Sequence, residues 1–175
     1  LGYFVLSEFI GYYQAAFSLA VSLSAILSFS SGSLFPIFSK LSGRQLERGF
    51  KKSLFVTFLL SFPIAILTFA LAPIIIGIVY GAEYFPAISI LRYFSILVIS
   101  FPAIALYTTY YTAREKTKPL AILLVGSTIL NIFLNYIFIM WFIQYGMFAA
   151  LVGAAIATIL SRILYLAGLI IFRRH

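Results

Sequence analysis

The sequence contains no cysteine and no aspartate, and its one histidine, His175, is the last residue. Without cysteine there is no disulfide, no thiolate nucleophile and no thiolate metal site. Acidic residues are limited to Glu8, Glu47, Glu83 and Glu115, none of which falls in a long apolar run. A zinc-binding H-E-x-x-H pattern is missing, and His175 at the chain end is a solvated terminal residue rather than a ligand or a catalytic base. Neither a Walker A sequence nor GxGxxG occurs, so no phosphate-cradling loop for a nucleotide is encoded. The residues therefore predict no enzymatic activity and no cofactor. Charge is scarce as well, at 9% of residues.

Apolar residues make up 63% of the chain and the mean hydropathy is +1.12, which excludes a soluble domain of 175 residues. The composition predicts an all-α, polytopic transmembrane helical bundle. A formal net charge of +8 would suggest nucleic acid in a soluble protein. Here basic loops against an anionic leaflet explain it better, and no nucleic-acid partner is expected. The chain opens at Leu1 with no basic n-region and no cleavage site, so no signal peptide is read. It reads as the back part of a longer protein.

Five spans are predicted, at about residues 12–38, 53–80, 87–112, 120–143 and 146–172. Residues 1–11 read as an apolar remnant before the first span, which carries Gln14, Ser18 and Ser22 on one face and is closed by Pro36. Pro63 and Pro73 predict a kink or break in the second span, and Pro102 a kink in the third. Between the first two spans, Lys40, Arg44, Arg48, Lys51 and Lys52 mark an amphipathic linker on an anionic membrane surface. Glu47 and Lys51 form an i, i+4 pair within it.

Basic residues alternate along the connectors. In chain order the connectors and termini carry none, five, none, three (Arg114, Lys116, Lys118), none and two (Arg173, Arg174). By the positive-inside rule the basic loops and the C-terminus are cytoplasmic and the protein is a multi-pass protein of the cell membrane. Tyr80, Tyr84, Trp141 and Tyr145 stand where aromatic belts belong.

Against this apolar background four polar residues are candidate substrate-binding residues. Arg162 lies near the middle of the fifth span, about 15 Å from Phe172 along the axis. An arginine at that depth costs about 2.5–3.5 kcal/mol on insertion scales and normally turns toward a bundle interior or a wet cavity. Two readings are open: a cation lining a path for something anionic, or one that snorkels through a lipid defect. On an adjoining face Gly153, Ala157 and Ser161 have the small-residue spacing that lets a neighbouring helix approach closely. Asn131 and Asn135 share a face of the fourth span, with Ser127, and either bond to a neighbouring helix or line a cavity. Arg92, within two turns of the start of the third span, reads first as snorkelling to the interface. A place at a substrate entrance or exit is its second reading.

Several stretches carry a family resemblance. GYYQAAFSL (residues 11–19), SLFPIFSKL (33–41), LERGFKKSL (46–54), PIIIGIVYGAEYFPA (73–87) and GAAIATILSR (153–162) are similar to polysaccharide-type flippases. These belong to the multidrug/oligosaccharidyl-lipid/polysaccharide exporter superfamily, and the likeness is to their C-terminal half. It implies one lobe of a two-lobe, alternating-access transporter that moves lipid-linked sugars across the cytoplasmic membrane, with an N-terminal lobe missing here. It also implies a partner, a glycan on a polyprenyl phosphate or pyrophosphate. Arg162 would hold the phosphate and Asn131 and Asn135 would contact the sugar. The alternatives are a multidrug or cation antiporter of the same superfamily, which needs a carboxylate in the membrane, and an inactive structural fragment.

Overall fold

A computed structural model describes residues 6–174; residues 1–5 and His175 lie outside the described residues. Among the described residues the chain is all helical: α1 (Ser7–Gly32), α2 (Phe35–Lys40), α3 (Gly43–Ala70), α4 (Ala72–Val79), α5 (Ala87–Phe94), α6 (Leu97–Ala113), α7 (Thr117–Phe142) and α8 (Met147–Arg174). Four segments, Ser7–Phe29, Gly43–Ala70, Thr117–Tyr145 and Met147–Arg173, are long and apolar enough to cross a membrane. The pair α5 and α6, bent by 40°, makes up to five.

The helix limits differ from the sequence reading in three places. First, α1 begins at Ser7 and ends at Gly32, taking in part of the supposed remnant and bringing Glu8 into its first turn. Pro36 does not close it. That proline sits in the opening turn of the separate helix α2, where its missing N–H would have had no intrahelical partner.

Second, the basic linker does not lie apart on a surface. Residues 43–52 are the first turns of α3, because Leu46 and Phe50 are buried in the bundle while Arg44, Arg48, Lys51 and Lys52 stay exposed. Glu47 therefore also belongs to a spanning helix, near its N-terminal start. Pro63 stays inside α3, whereas the chain breaks at Leu71 and Pro73 enters the first turn of α4.

Third, the bend of the third span falls at Ser95–Ile96 and not at Pro102, which is accommodated within α6. At the break the Arg92 carbonyl accepts both the Ser95 hydroxyl, at 2.7 Å, and the Ser95 N–H, at 3.3 Å. Tight reversals follow α4 and α7 at Gly81 (φ +85°) and Gly146 (φ +112°), a backbone region that glycine reaches without strain.

Two hydrophobic clusters divide the interior. One joins the start of α1 to α4, α5 and the start of α8, through residues such as Ala16, Ile76, Phe94 and Leu151. The other joins α2, the start of α3, the end of α6 and the end of α8, through Phe38, Phe50, Tyr111 and Leu169. The lysine- and arginine-bearing connectors all gather at the second cluster, and the connectors around Gly81 and Gly146 lie at the first. The alternation of charge in sequence thus becomes a basic end and an uncharged or acidic end of one bundle.

Candidate functional site

The most extensive helix pairing is α7 with α8. A Cβ built on Gly153 would stand 2.9 Å from the Phe138 carbonyl oxygen, so the two backbones meet where only glycine fits. Further along the same seam the Asn131 amide donates to the Ser161 hydroxyl at 2.9 Å, and Ser161 donates onward to the Thr158 carbonyl at 2.9 Å. Ser127 reaches the Ser161 carbonyl at 3.4 Å. Asn135 donates to the Asn131 backbone carbonyl at 2.9 Å. Of the two readings of these asparagines, Asn131 takes the first, a bond to a neighbouring helix, and Asn135 is held by its own helix.

Turning about 100° along α8 from Ser161 brings Arg162 onto a different face. Its guanidinium carbon lies 5.8 Å from the centre of the Phe101 ring on α6. It is also close enough to interact electrostatically with the hydroxyls of Tyr13 on α1 and Tyr165 on α8. The Tyr13 hydroxyl shares a 2.8 Å hydrogen bond with Thr158, one turn before Arg162. Arg162 is half-buried, and its Nε is buried without a hydrogen-bond partner. Unlike an arginine directed at acyl chains, it points between α1, α6 and α8. A delocalised cation stacked on an aromatic face is stabilised by the ring quadrupole and keeps its hydrogen-bond donors for an anion.

The four residues singled out in the sequence do not form one cluster. Arg162 and the asparagines occupy different faces of the α7–α8 region. Arg92 is exposed and stacks on Phe69 of α3, 5.6 Å from its ring centre. It lines a separate groove of about 420 Å³ between α3, the α5–α6 bend and Ile159. The sequence reading missed Tyr13, Phe101 and Tyr165 as neighbours of Arg162, because aromatic residues in an aromatic-rich membrane chain carry no positional signal. It also missed Arg173 as more than a tail charge. Its spacing of eleven residues from Arg162, close to three whole turns, puts both cations on one face of α8 and was readable.

Residues 1–89, half of the chain, match the family described as polysaccharide biosynthesis protein. The chain belongs to this family. For a polysaccharide biosynthesis protein built as an apolar helical bundle, a membrane role connected with polysaccharide follows. The matched part covers α1 to α4 and the start of α5, so it includes Tyr13 and the basic start of α3 but not Arg162. No curated protein and no solved structure matches the chain.

Proposed function

We propose that this polysaccharide biosynthesis protein is one lobe of a transporter that flips lipid-linked oligosaccharide or polysaccharide precursors from the cytoplasmic to the outer leaflet of the cell membrane. The observation that carries the reading is Arg162, a cation near mid-span, directed between helices and lying over the Phe101 ring, with no ion-pair partner among the described residues. A phosphate or pyrophosphate crossing a medium of low dielectric needs a compensating charge at that depth. Arg162 fits that requirement, because no ion pair neutralises it among the described residues.

Three further features fit the same picture. Gln14 and Ser22 on α1 are exposed, which suits a helix face turned to a second, N-terminal lobe across a polar cavity. The exposed Lys40, Arg44, Arg48, Lys51 and Lys52 suit contact with anionic lipid of the inner leaflet and set the basic end, with the C-terminus, in the cytoplasm. The chemistry is binding and movement with no bond made or broken, so the protein acts as a transporter rather than an enzyme. A cation antiporter would need a carboxylate at mid-depth. Glu8 lies in the first turn of α1, Glu47 in the second turn of α3, and Glu83 and Glu115 in connectors, so among the described residues no carboxylate at mid-depth favours that role.

The test is made in the full-length protein of the source cell. Arg162→Ala should abolish surface display of the glycan at an unchanged protein level. Normal display would remove Arg162 from the pathway.

A further inference from the structure

Arg173 ends the face of α8 on which Arg162 lies, about 16 Å further along the axis. Its side chain is only 12% exposed, yet its partner carboxylate, Glu47 at 2.6 Å, is 50% exposed. The guanidinium carbon lies over Phe50, 3.9 Å from the ring centre, and 5.0 Å from that of Tyr110. Its Nε is buried without a hydrogen-bond partner. Beside it opens a cavity of about 390 Å³ lined by Glu47, Lys51, Tyr107, Ile170 and Arg173. Lys51 stands 3.8 Å from Glu47 and is 75% exposed. One carboxylate therefore serves two cations, and the pocket keeps a net positive charge.

The geometry points to a second anion site at the basic end of the bundle, in which Arg173 and Lys51 take the phosphate or pyrophosphate of an amphiphile and Glu47 is the internal carboxylate that the ligand displaces. The buried cation is fixed by its two rings, whereas the half-exposed carboxylate can turn to water at little cost. A pyrophosphate carries more than one negative charge and matches the guanidinium fork with two parallel hydrogen bonds, which a single carboxylate oxygen does not use. Ile170 supplies an apolar wall for the first carbons of the lipid tail. Displacing Glu47 would also untie the start of α3 from the end of α8, so docking would loosen this end of the bundle. The inference rests on the proposed transport only for its place in the path; the site itself stands on the geometry of Arg173.

The experiment measures binding of farnesyl pyrophosphate, inorganic pyrophosphate and farnesol to the full chain in detergent micelles. All variants carry Arg162→Ala, so that the mid-span site does not contribute. Adding Glu47→Gln should tighten farnesyl pyrophosphate binding about tenfold, the worth of one charge-assisted hydrogen bond no longer competing. Adding Arg173→Gln as well should abolish that gain, and farnesol should not respond to either change. Should Arg173→Gln fail to fold by far-UV circular dichroism, Lys51→Gln at its exposed position serves instead and should weaken binding. Binding that is unchanged or weaker in Glu47→Gln, or a gain that survives loss of the cation, would overturn the site. Inorganic pyrophosphate binding as tightly as the farnesyl compound would overturn the amphiphile. Failure here leaves the role of Arg162 in glycan display untouched, and the converse also holds.

Discussion

Asn131 on α7 donates its amide to the hydroxyl of Ser161 on α8 at 2.9 Å, and the next residue along α8 is Arg162. The hydrogen bond fixes the rotation of α8 against α7, and that rotation aims the arginine at Phe101. Asn131→Ala should therefore lower stability by about 0.6–2 kcal/mol, the range found for interhelical side-chain bonds in membranes. Flipping should fall less than in Arg162→Ala. A sugar-contact role for Asn131 would give the opposite pattern, lost transport at unchanged stability. Thermal unfolding in detergent alongside glycan display separates the two.

Gly153 makes a sharper demand. An added methyl would meet the Phe138 carbonyl oxygen at 2.9 Å and its carbon at 3.2 Å, and backbone atoms cannot swing aside. Gly153→Ala should cost about 1–3 kcal/mol, as overpacking of a tight interior does. Gly126, on α7 with nothing within 4 Å of an added Cβ, is the control. Gly126→Ala should be neutral or mildly stabilising through helix propensity. Unfolding midpoints of the two variants should move in different directions or by clearly different amounts.

Arg92 should matter less. It is exposed, stacks on Phe69 and does not share the surroundings of Arg162. The interface anchor that this suggests predicts that Arg92→Gln retains glycan display within about threefold. A loss as deep as that of Arg162→Ala would instead make its groove part of the route.

Much of this was legible in the sequence, for physical reasons that can be named. Hydropathy announces spanning helices because lipid forces every backbone group into internal hydrogen bonds. The Gly153, Ala157, Ser161 spacing announced the α7 seam. Helix ends were less legible. Residues 43–52 looked like a surface linker because five basic residues dominate Lys40 to Lys52, yet burial of Leu46 and Phe50 carries them into α3. Pro102 drew the predicted bend toward itself, although the break lies at Ser95–Ile96. Polar residues were legible as exceptions but not as partners. Asn131 could equally have faced a cavity, and only the three-dimensional register hands it to Ser161.

The most direct measurement is flipping of a fluorescent polyprenyl pyrophosphate-linked saccharide by the full-length protein in proteoliposomes, with Arg162 as the arginine, as Lys and as Ala. Lys keeps the charge at mid-span but loses the planar fork and its stacking on Phe101, so a reduced rate should remain with Lys and none with Ala. Ala flipping at the rate of the arginine protein would contradict the account.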